Sequence, residues 1–328
     1  MKKNYFVLLV ACSILLLSAC GKKKSGGSFS VDKFSNGKAG EIILIMGDQV
    51  FTPEAQKKVS DTLQQPQPGI NQIEPMFDIL HFQPKDFTSE FVRHRNIVHF
   101  DINPDYGSNH ITFETNAWSS PQMYIKIKGN QADSAIALFM NNKEKILRSL
   151  YDNDLRRIQN YYAKEINHTI EKTVKDKFGI LLSIPNHYFI ASEEKDFLWL
   201  RFRTAKNDRF IMVYKMPAYE LTEANLIATR DTITKRYVPG AIKGAYPIVA
   251  QKFGFPIVKN IQIGTKKGVE MRGIWESVHD KMGGPFYSFT FLSPDGKNCI
   301  TVDGFVYAPQ ENKRDYLREV EAIVKSLR

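Results

Sequence analysis

The sequence predicts an α+β protein of two domains, each a mainly antiparallel sheet packed with helices, behind a cleaved signal and a flexible tether. Three observations support this prediction. Many short segments alternate apolar and polar residues between turn residues, as half-buried antiparallel strands do. Residues 132–177 repeat apolar side chains at spacings of three and four, which is typical of helices. A length of 328 residues favours about two domains.

Residues 1–19 have the pattern of a lipoprotein signal peptide. Two lysines precede a nearly unbroken apolar run at 5–17, which is shorter than the roughly 20 residues that span a bilayer. Small residues at 18 and 19 then precede Cys20, the residue that a bacterial lipoprotein signal peptidase would leave at the new N-terminus. Acylation of Cys20 would supply the two or more chains that stable anchoring requires. The alternative is a plain secretory signal with an incidental cysteine.

Residues 20–39 are predicted to form the tether, because lysine, serine, glycine and asparagine leave little to bury. Three lysines at 22–24 would be attracted to anionic lipid headgroups. The N-terminal domain is predicted to span residues 40–150, and the C-terminal domain residues 151–328.

The charge balance is basic, with 45 Lys and Arg against 35 Asp and Glu. In a cytosolic protein this excess would indicate nucleic acid as a partner. Behind a signal peptide it favours anionic lipids or acidic glycans, so we expect no nucleic-acid partner. Of three cysteines, Cys12 lies in the signal and Cys20 would be acylated, so no disulfide is expected. The remaining Cys299 is expected to be a small buried residue of a strand.

Elements of the first domain follow from apolar runs and capping residues. Thr52 and Pro53 are expected to begin a helix that ends near Gln65. The helical stretch at 132–177 is expected to consist of two helices separated by a break at 151–154, which we take as the domain boundary. Strands are predicted at 41–46, 76–82, 96–102, 110–115 and 122–127.

The second domain is predicted to be rich in strands. Thr222 is expected to cap a helix that ends near Tyr237, and Asn312 is expected to cap an amphipathic C-terminal helix. Residues 239–268 are interpreted as a connection. Strands are predicted at 179–184, 188–192, 197–203, 209–215, 269–278, 286–292 and 299–307.

Three segments resemble an uncharacterised family of lipoproteins from the Bacteroidota, defined as a domain of unknown function. The resemblance lies in the segments 72–78 (QIEPMFD), 91–97 (FVRHRNI) and 116–122 (NAWSSPQ). It implies a location in the cell envelope and no particular activity. The second half also resembles the PsbP/Mog1-type sandwich in shape, a likeness that carries no function.

Five polar or aromatic residues of the first domain are candidates for binding a ligand, because they lie in loops or near strand ends. Arginine can clasp a carboxylate with two hydrogen bonds, and a tryptophan face can stack on a sugar or peptide. The alternative is a structural ion pair beside a half-buried tryptophan. The candidates are Glu74, Arg93, Arg95, Trp118 and Gln122.

Neither a metal site nor a catalytic site is expected. His94, His99 and Asp101 are close in sequence, but the chain has no H-E-x-x-H and no paired cysteines. It also has no G-x-S-x-G, and Ser192 and Lys195, which match S-x-x-K, fall in a predicted hairpin turn. We therefore assign no catalytic residue and expect no cofactor.

These observations favour a membrane-anchored envelope lipoprotein that faces the periplasm. No acidic residue precedes Asp32 after Cys20, so the acidic export signal associated with lipoproteins of this group is missing, which favours the inner leaflet of the outer membrane. The expected function is a non-enzymatic binding or assembly module for an envelope protein or glycan. The alternative is a periplasmic enzyme that acts on peptidoglycan, glycan or peptide through the candidate residues.

Overall fold

The computed structural model describes residues 34–50, 52–252 and 254–328. The predicted signal peptide, Cys20 and the tether up to residue 33 lie outside the described residues. Residues 34–39, predicted as the end of the tether, instead pack on the first domain, where Phe34 pairs with Ser120 and Asn36 with His94, so that part of the prediction is wrong. Those described form two sheets and six helices, which confirms the α+β class. None of the helices in these ranges is long and apolar enough to cross a membrane.

The first sheet has the strand order β2-β1-β3-β5-β4. Three of its four pairings are parallel and only β4–β5 is antiparallel, so the prediction of a mainly antiparallel sheet is wrong here. The alternation of apolar and polar residues shows which side chains are buried, but it does not fix the direction of a strand. Direction depends on the connections. The segment between β1 and β2, which contains α1, is long enough for a parallel crossover. The elements are β1 (Glu41–Ile45), α1 (Pro53–Leu63), β2 (Asp78–Phe82), β3 (Asn96–Ile102), β4 (His110–Thr115) and β5 (Met123–Gly129).

Three helices connect the sheets: α2 (Ala132–Asn141), α3 (Lys143–Tyr162) and α4 (His168–Phe178). The predicted break at 151–154 is wrong, because α3 continues through it and the predicted domain boundary falls inside the helix. The polar residues that suggested a break, Asn153 and Asp154, are buried. Their hydrogen-bond partners are distant in sequence: both bond to Asn96, and Asp154 also bonds to Arg318.

The second sheet is antiparallel throughout, as predicted, with the order β10-β11-β12-β13-β8-β7-β6 and β9 beside β11. Residues 179–184 form no strand, and β9 and β10 occupy the segment interpreted as a connection. The elements are β6 (Phe189–Glu194), β7 (Phe197–Arg203), β8 (Asp208–Pro217), α5 (Glu223–Tyr237), β9 (Tyr246–Val249), β10 (Ile257–Ile263), β11 (Lys266–Val278), β12 (Gly283–Leu292), β13 (Asn298–Tyr307) and α6 (Arg314–Val324).

Helices cover the two faces of this sheet differently. Helices α4 and α6 pack on one face with a continuous apolar core. On the other face α5 packs over an aromatic core. Because strand side chains alternate between faces, Phe197 and Trp199 of β7 lie on the α5 side, while Leu198 and Leu200 lie on the side of α4 and α6.

Helix caps test the sequence predictions directly. The side chains of Thr52 and Thr222 accept hydrogen bonds from the backbones of α1 and α5, as expected. The prediction for Asn312 is wrong, since α6 begins after Lys313 and no side chain at the cap position bonds to it. Cys299 is buried as predicted, and burial raises the pKa of its thiol.

Candidate functional site

Glu74 caps helix α6 from the other half of the protein. Its carboxylate accepts hydrogen bonds from the backbone N–H groups of Lys313 and Arg314, each at 2.8 Å. A negative charge at a helix N-terminus is stabilising because it satisfies open N–H groups and opposes the helix dipole. Glu74 is 4% exposed. It therefore does not occupy the open cleft that the enzymatic alternative requires.

Gln122, Trp118 and Arg93 hold loops of the first domain together. The buried amide of Gln122 donates to the carbonyl of Val92 at 2.6 Å and accepts from the backbone N–H of Trp118 at 2.9 Å. The Trp118 ring packs edge-on against Tyr124, and 39% of the residue is exposed. Arg93 donates to the carbonyl of residue 34 at 2.9 Å. These contacts order the loops.

Arg95 belongs to a third environment, around the carboxylate of Asp154. Its guanidinium lies 3.5 Å from Asp154, which also accepts from Arg318 at 2.9 Å and from Asn96 at 3.0 Å. The contacts of the five candidate residues thus fall into three groups and do not converge on one site.

The contact between the two halves, which we call the seam, is built around α6. Arg314 bonds to Asp78 at 2.9 Å, and Glu321 bonds to Arg272 at 2.9 Å and to the hydroxyl of Tyr151. Burial alone would raise the pKa of Glu321, but the charges of Arg272 and Lys325 hold it at about 2. The charges that α6 brings to the seam, Arg314, Arg318 and Glu321, are buried and have partners from both halves.

His94 and His99, the two histidines considered as metal ligands, are packed residues. His94 lies 2.9 Å from Glu41 and from the carbonyl of Asn96, and His99 contacts the Tyr124 hydroxyl at 2.9 Å. Burial, with the nearby Lys126, lowers the pKa of His99 to about 4. Across the described ranges, no three His, Cys, Asp or Glu residues come close enough to hold a metal ion.

A cavity of about 370 Å³ opens on the α5 face of the second sheet, and we call it the aromatic cavity. Helix α5 covers one end of this face, where Arg230 bonds to Asp303 at 2.8 Å. Beyond α5, the loop that follows it lines the cavity through residues 238–241. The walls include Trp199, Phe210, Trp275, Phe305 and Tyr307 with Arg201, Arg203 and Asp208.

Strand alternation and register bring these side chains together. Trp199, Arg201 and Arg203 are alternate residues of β7 and share one face. Neighbouring strands add rings beside them: Phe210 stacks on Trp199 and on Phe305, with ring centroids 5.7 and 4.4 Å apart. Asp208 is paired in register with Arg203 and with Tyr307 at the open end.

Polar atoms without partners accumulate at this cavity. Within the described part of the chain, Trp199 Nε1, Arg201 Nε and Asp208 Oδ1 are buried and form no hydrogen bond. The other oxygen of Asp208 accepts from Arg201 at 2.7 Å, whereas Arg203 Nε lies 3.6 Å from Oδ1, beyond hydrogen-bond distance. An unsatisfied buried polar group costs about 1–3 kcal/mol, so a ligand that bonded to these atoms would recover that energy.

The sequence contains a signal for this cavity, although none of the candidate residues predicted from it lies there. In the β7 segment FLWLRFR, one face carries a tryptophan and then two arginines. Arginine is rarely buried in a closed core, so two arginines on the same strand face as Trp199 indicate that this face opens to solvent. The enclosure itself depends on Pro247 and Trp275, which come from distant parts of the chain.

Comparisons with known families identify both halves. Residues 35–163 match the domain of unknown function DUF8532, and residues 167–326 match the domain of unknown function DUF4837. Both families are uncharacterised, as the sequence resemblance implied, and they meet in the loop between α3 and α4. No curated protein matches the chain.

Solved structures match only weakly. A protein from Bacteroides thetaiotaomicron is 6% identical over 45% of this chain and 44% of its own length, with a TM-score of 0.26. The Saccharomyces cerevisiae Ran-binding protein Mog1p is 7% identical over 46% of this chain and 91% of its own, with a TM-score of 0.31. The lipid transfer and protein localization domain of human StarD13 is 12% identical over 48% and 94%, with a TM-score of 0.24.

Proposed function

We propose that this chain, which combines the domains of unknown function DUF8532 and DUF4837, is a lipid-anchored protein of the bacterial cell envelope that binds a saccharide in its aromatic cavity. It acts as a binding or assembly module rather than an enzyme. The observation that supports this proposal is the cluster of buried polar atoms without partners on Trp199, Arg201 and Asp208.

The chemistry of the cavity favours a sugar over a purely apolar ligand. Sugar rings present C–H faces that pack on aromatic side chains, and each hydroxyl both donates and accepts hydrogen bonds. Trp199 Nε1 and Arg201 Nε are donors, while Asp208 Oδ1 is an acceptor. A volume of about 370 Å³ lies at the small end of ligand pockets, which span roughly 300–1,000 Å³.

The proposed location rests on the sequence. Acylated Cys20 holds the protein in the bilayer, and the tether lets both halves face the periplasm. The inner leaflet of the outer membrane is the favoured position. A saccharide ligand fits this location because the envelope is rich in glycans.

Titration of the purified protein with neutral and acidic oligosaccharides tests the proposal. Two of the three tryptophans, Trp199 and Trp275, line the cavity, so their fluorescence reports occupancy. Trp199→Phe keeps the ring and removes the donor, and we expect it to weaken binding about tenfold, as for one lost hydrogen bond. Trp118→Phe is the matched control and should leave affinity unchanged.

Asp208→Asn provides a second variant, since it exchanges the acceptor carboxylate for an amide beside Arg201. We expect a similar loss of affinity. If no saccharide binds the folded protein, or if both variants bind as tightly as the wild type, the proposal fails.

A further inference from the structure

A second cavity of about 560 Å³ lies at the seam, between the chain before β1, helix α3 and helix α6, and we call it the seam cavity. Its apolar walls include Phe34, Pro121, Ile158, Tyr161 and Tyr162. Seven of the lining residues are charged. The four cations are Arg95, Arg157, Lys164 and Arg318, and the three acids are Asp154, Asp315 and Glu319.

Two of the acids bond to arginines outside the lining. Glu319 bonds to Arg209, and Asp315 bonds to Arg314, which also bonds to Asp78. With these three partners added to the lining residues, six cations stand against four acids.

Asp154 serves two cations at once, Arg318 at 2.9 Å and Arg95 at 3.5 Å. Among the described residues, Arg157 forms no ion pair with a carboxylate. The seam cavity therefore contains more positive charge than its own acids balance.

The surroundings of Arg157 show the same imbalance. Its guanidinium donates to the backbone carbonyl of Ser35 at 2.6 Å and to the Ser35 hydroxyl, both of which are neutral acceptors. Burial and the nearby charge of Arg95 lower the pKa of Arg157 to about 10, and Asp154 offsets this only in part. The neighbouring Arg95 Nε is buried without a hydrogen-bond partner in the part of the chain that is described. An anion between these two side chains would satisfy both.

The mouth of the cavity is amphipathic. Phe34 is 66% exposed and Tyr161 is 61% exposed. Lys164 Nζ lies 4.2 Å from the centre of the Phe34 ring. Aromatic rings beside a lysine are the combination that favours the interface between membrane and water.

The mouth is also close in sequence to the proposed anchor. Residue 34 lies 14 positions after Cys20, and a chain of that length can span at most about 50 Å. The mouth therefore stays within reach of the bilayer surface if Cys20 is acylated.

We propose that the seam cavity binds an amphiphile with one acidic group, a carboxylate or a phosphate. The acidic group meets Arg157, and the apolar part lies against Phe34, Ile158 and Tyr161. This site is separate from the aromatic cavity, so either proposal can fail without the other.

The test uses the full mature chain with three probes: myristate, lysophosphatidylglycerol and the uncharged monomyristoylglycerol. Calorimetric titration should show that both acidic probes bind at least tenfold more tightly than the uncharged one. Tighter binding of myristate would indicate a free fatty acid as the natural ligand, and tighter binding of the phosphate probe would indicate a phospholipid. Equal affinity for all three probes, or no binding of any, would overturn the proposal.

Variants identify the site. Arg157→Gln should weaken the acidic probes about tenfold to a hundredfold, as for loss of a charge-assisted hydrogen bond, and Arg157→Lys should retain part of the affinity. Arg156→Gln is the matched control, because Arg156 is the exposed neighbour on α3 that does not line this cavity, and it should change nothing.

A further variant covers the case in which Arg157→Gln does not fold. Tyr161→Ser alters an exposed residue of the mouth and should weaken all three probes by a similar factor, with no change in affinity at the saccharide site. If Tyr161→Ser and each folded variant of Arg157 bind the acidic probes as the wild type does, the assignment is wrong.

Discussion

The two cavities differ in which groups are left without partners. At the aromatic cavity, donors and an acceptor remain unsatisfied together, and Asp208 balances at least one of its two arginines. At the seam cavity Nε of Arg95 has no hydrogen bond, and Arg157 has neutral acceptors but no carboxylate partner among the described residues. The volumes, about 370 and 560 Å³, do not separate the two sites chemically. The unpaired atoms do, because a buried polar group selects the ligand that completes it.

The cavities also differ in origin. The aromatic cavity is built within the second half, mainly from alternate residues of adjacent strands. The seam cavity needs both halves, since Arg95 and Arg157 come from the first and Glu319 from the last helix. Damage to the seam should therefore affect only one of the two sites.

The largest expected effect is the loss of the membrane anchor. This anchor lies close in sequence to the mouth of the seam cavity and not to the aromatic cavity. Cys20→Ser should move the protein from the membrane pellet to the soluble fraction and abolish acyl labelling, because each buried CH₂ contributes about 0.8 kcal/mol to anchoring. Fractionation with radiolabelled fatty acid checks this. An unchanged pellet fraction with a folded protein would refute the anchor.

Next in size is the loss of a seam charge. Arg318→Met leaves Asp154 buried without its main partner and should lower the free energy of unfolding by about 3–5 kcal/mol. Arg203→Met at the rim of the aromatic cavity removes an exposed charge and should change it by less than about 1 kcal/mol. Urea unfolding measures both free energies. Equal effects of the two variants would show that the seam charge contributes no more to stability than the exposed charge does.

A pH titration provides a second test of how much the buried charges of the seam contribute to stability. Because the folded state lowers the pKa of Glu321 from 4.5 to about 2, the stabilisation is complete above the ordinary pKa and is lost as pH falls from about 4.5 to 2. A lowering of the pKa by this amount corresponds to about 3 kcal/mol. The stability difference between the wild type and Glu321→Gln should therefore shrink over this window.

The control for that titration is Gln56→Ala, which replaces an exposed residue of α1 that has no titratable group. Its stability difference from the wild type should stay nearly constant with pH. A difference for Glu321→Gln that is independent of pH would contradict the assignment of the titrating group.

The smallest effect concerns stability at the aromatic cavity. Trp199→Phe removes a buried donor without a partner while losing some ring area, so the two contributions oppose each other. We expect the free energy of unfolding to change by less than about 1 kcal/mol while saccharide affinity falls. A loss above about 3 kcal/mol would mean that the indole is a structural residue.

Local patterns were sufficient for many of the elements. The strands at 96–102, 110–115 and 197–203 have the predicted bounds, and the caps at Thr52 and Thr222 bond as expected. Alternation and capping depend on near neighbours, which the sequence displays. The direction of the strands in the first sheet depends on connections and packing, and the prediction failed there.

Long-range pairing accounts for the missed features. Asp154 sits within a helix because Arg318, 164 residues away, neutralises it. Glu74 was a candidate ligand residue because its partner, the backbone of Lys313, lies 239 residues along the chain. The aromatic cavity was missed for the same reason, since the alternation in β7 was visible but the walls that enclose it were not.

The sequence by itself determined the α+β class, most of the strands, the buried Cys299 and the prediction of a lipid anchor, because these follow from composition and from spacings of a few residues. Tertiary structure alone decided which charges are paired across the seam and which polar atoms face a cavity. The physical reason is that a buried charge is stabilised by whichever partner folding brings within about 3 Å, and that partner has no fixed distance along the chain.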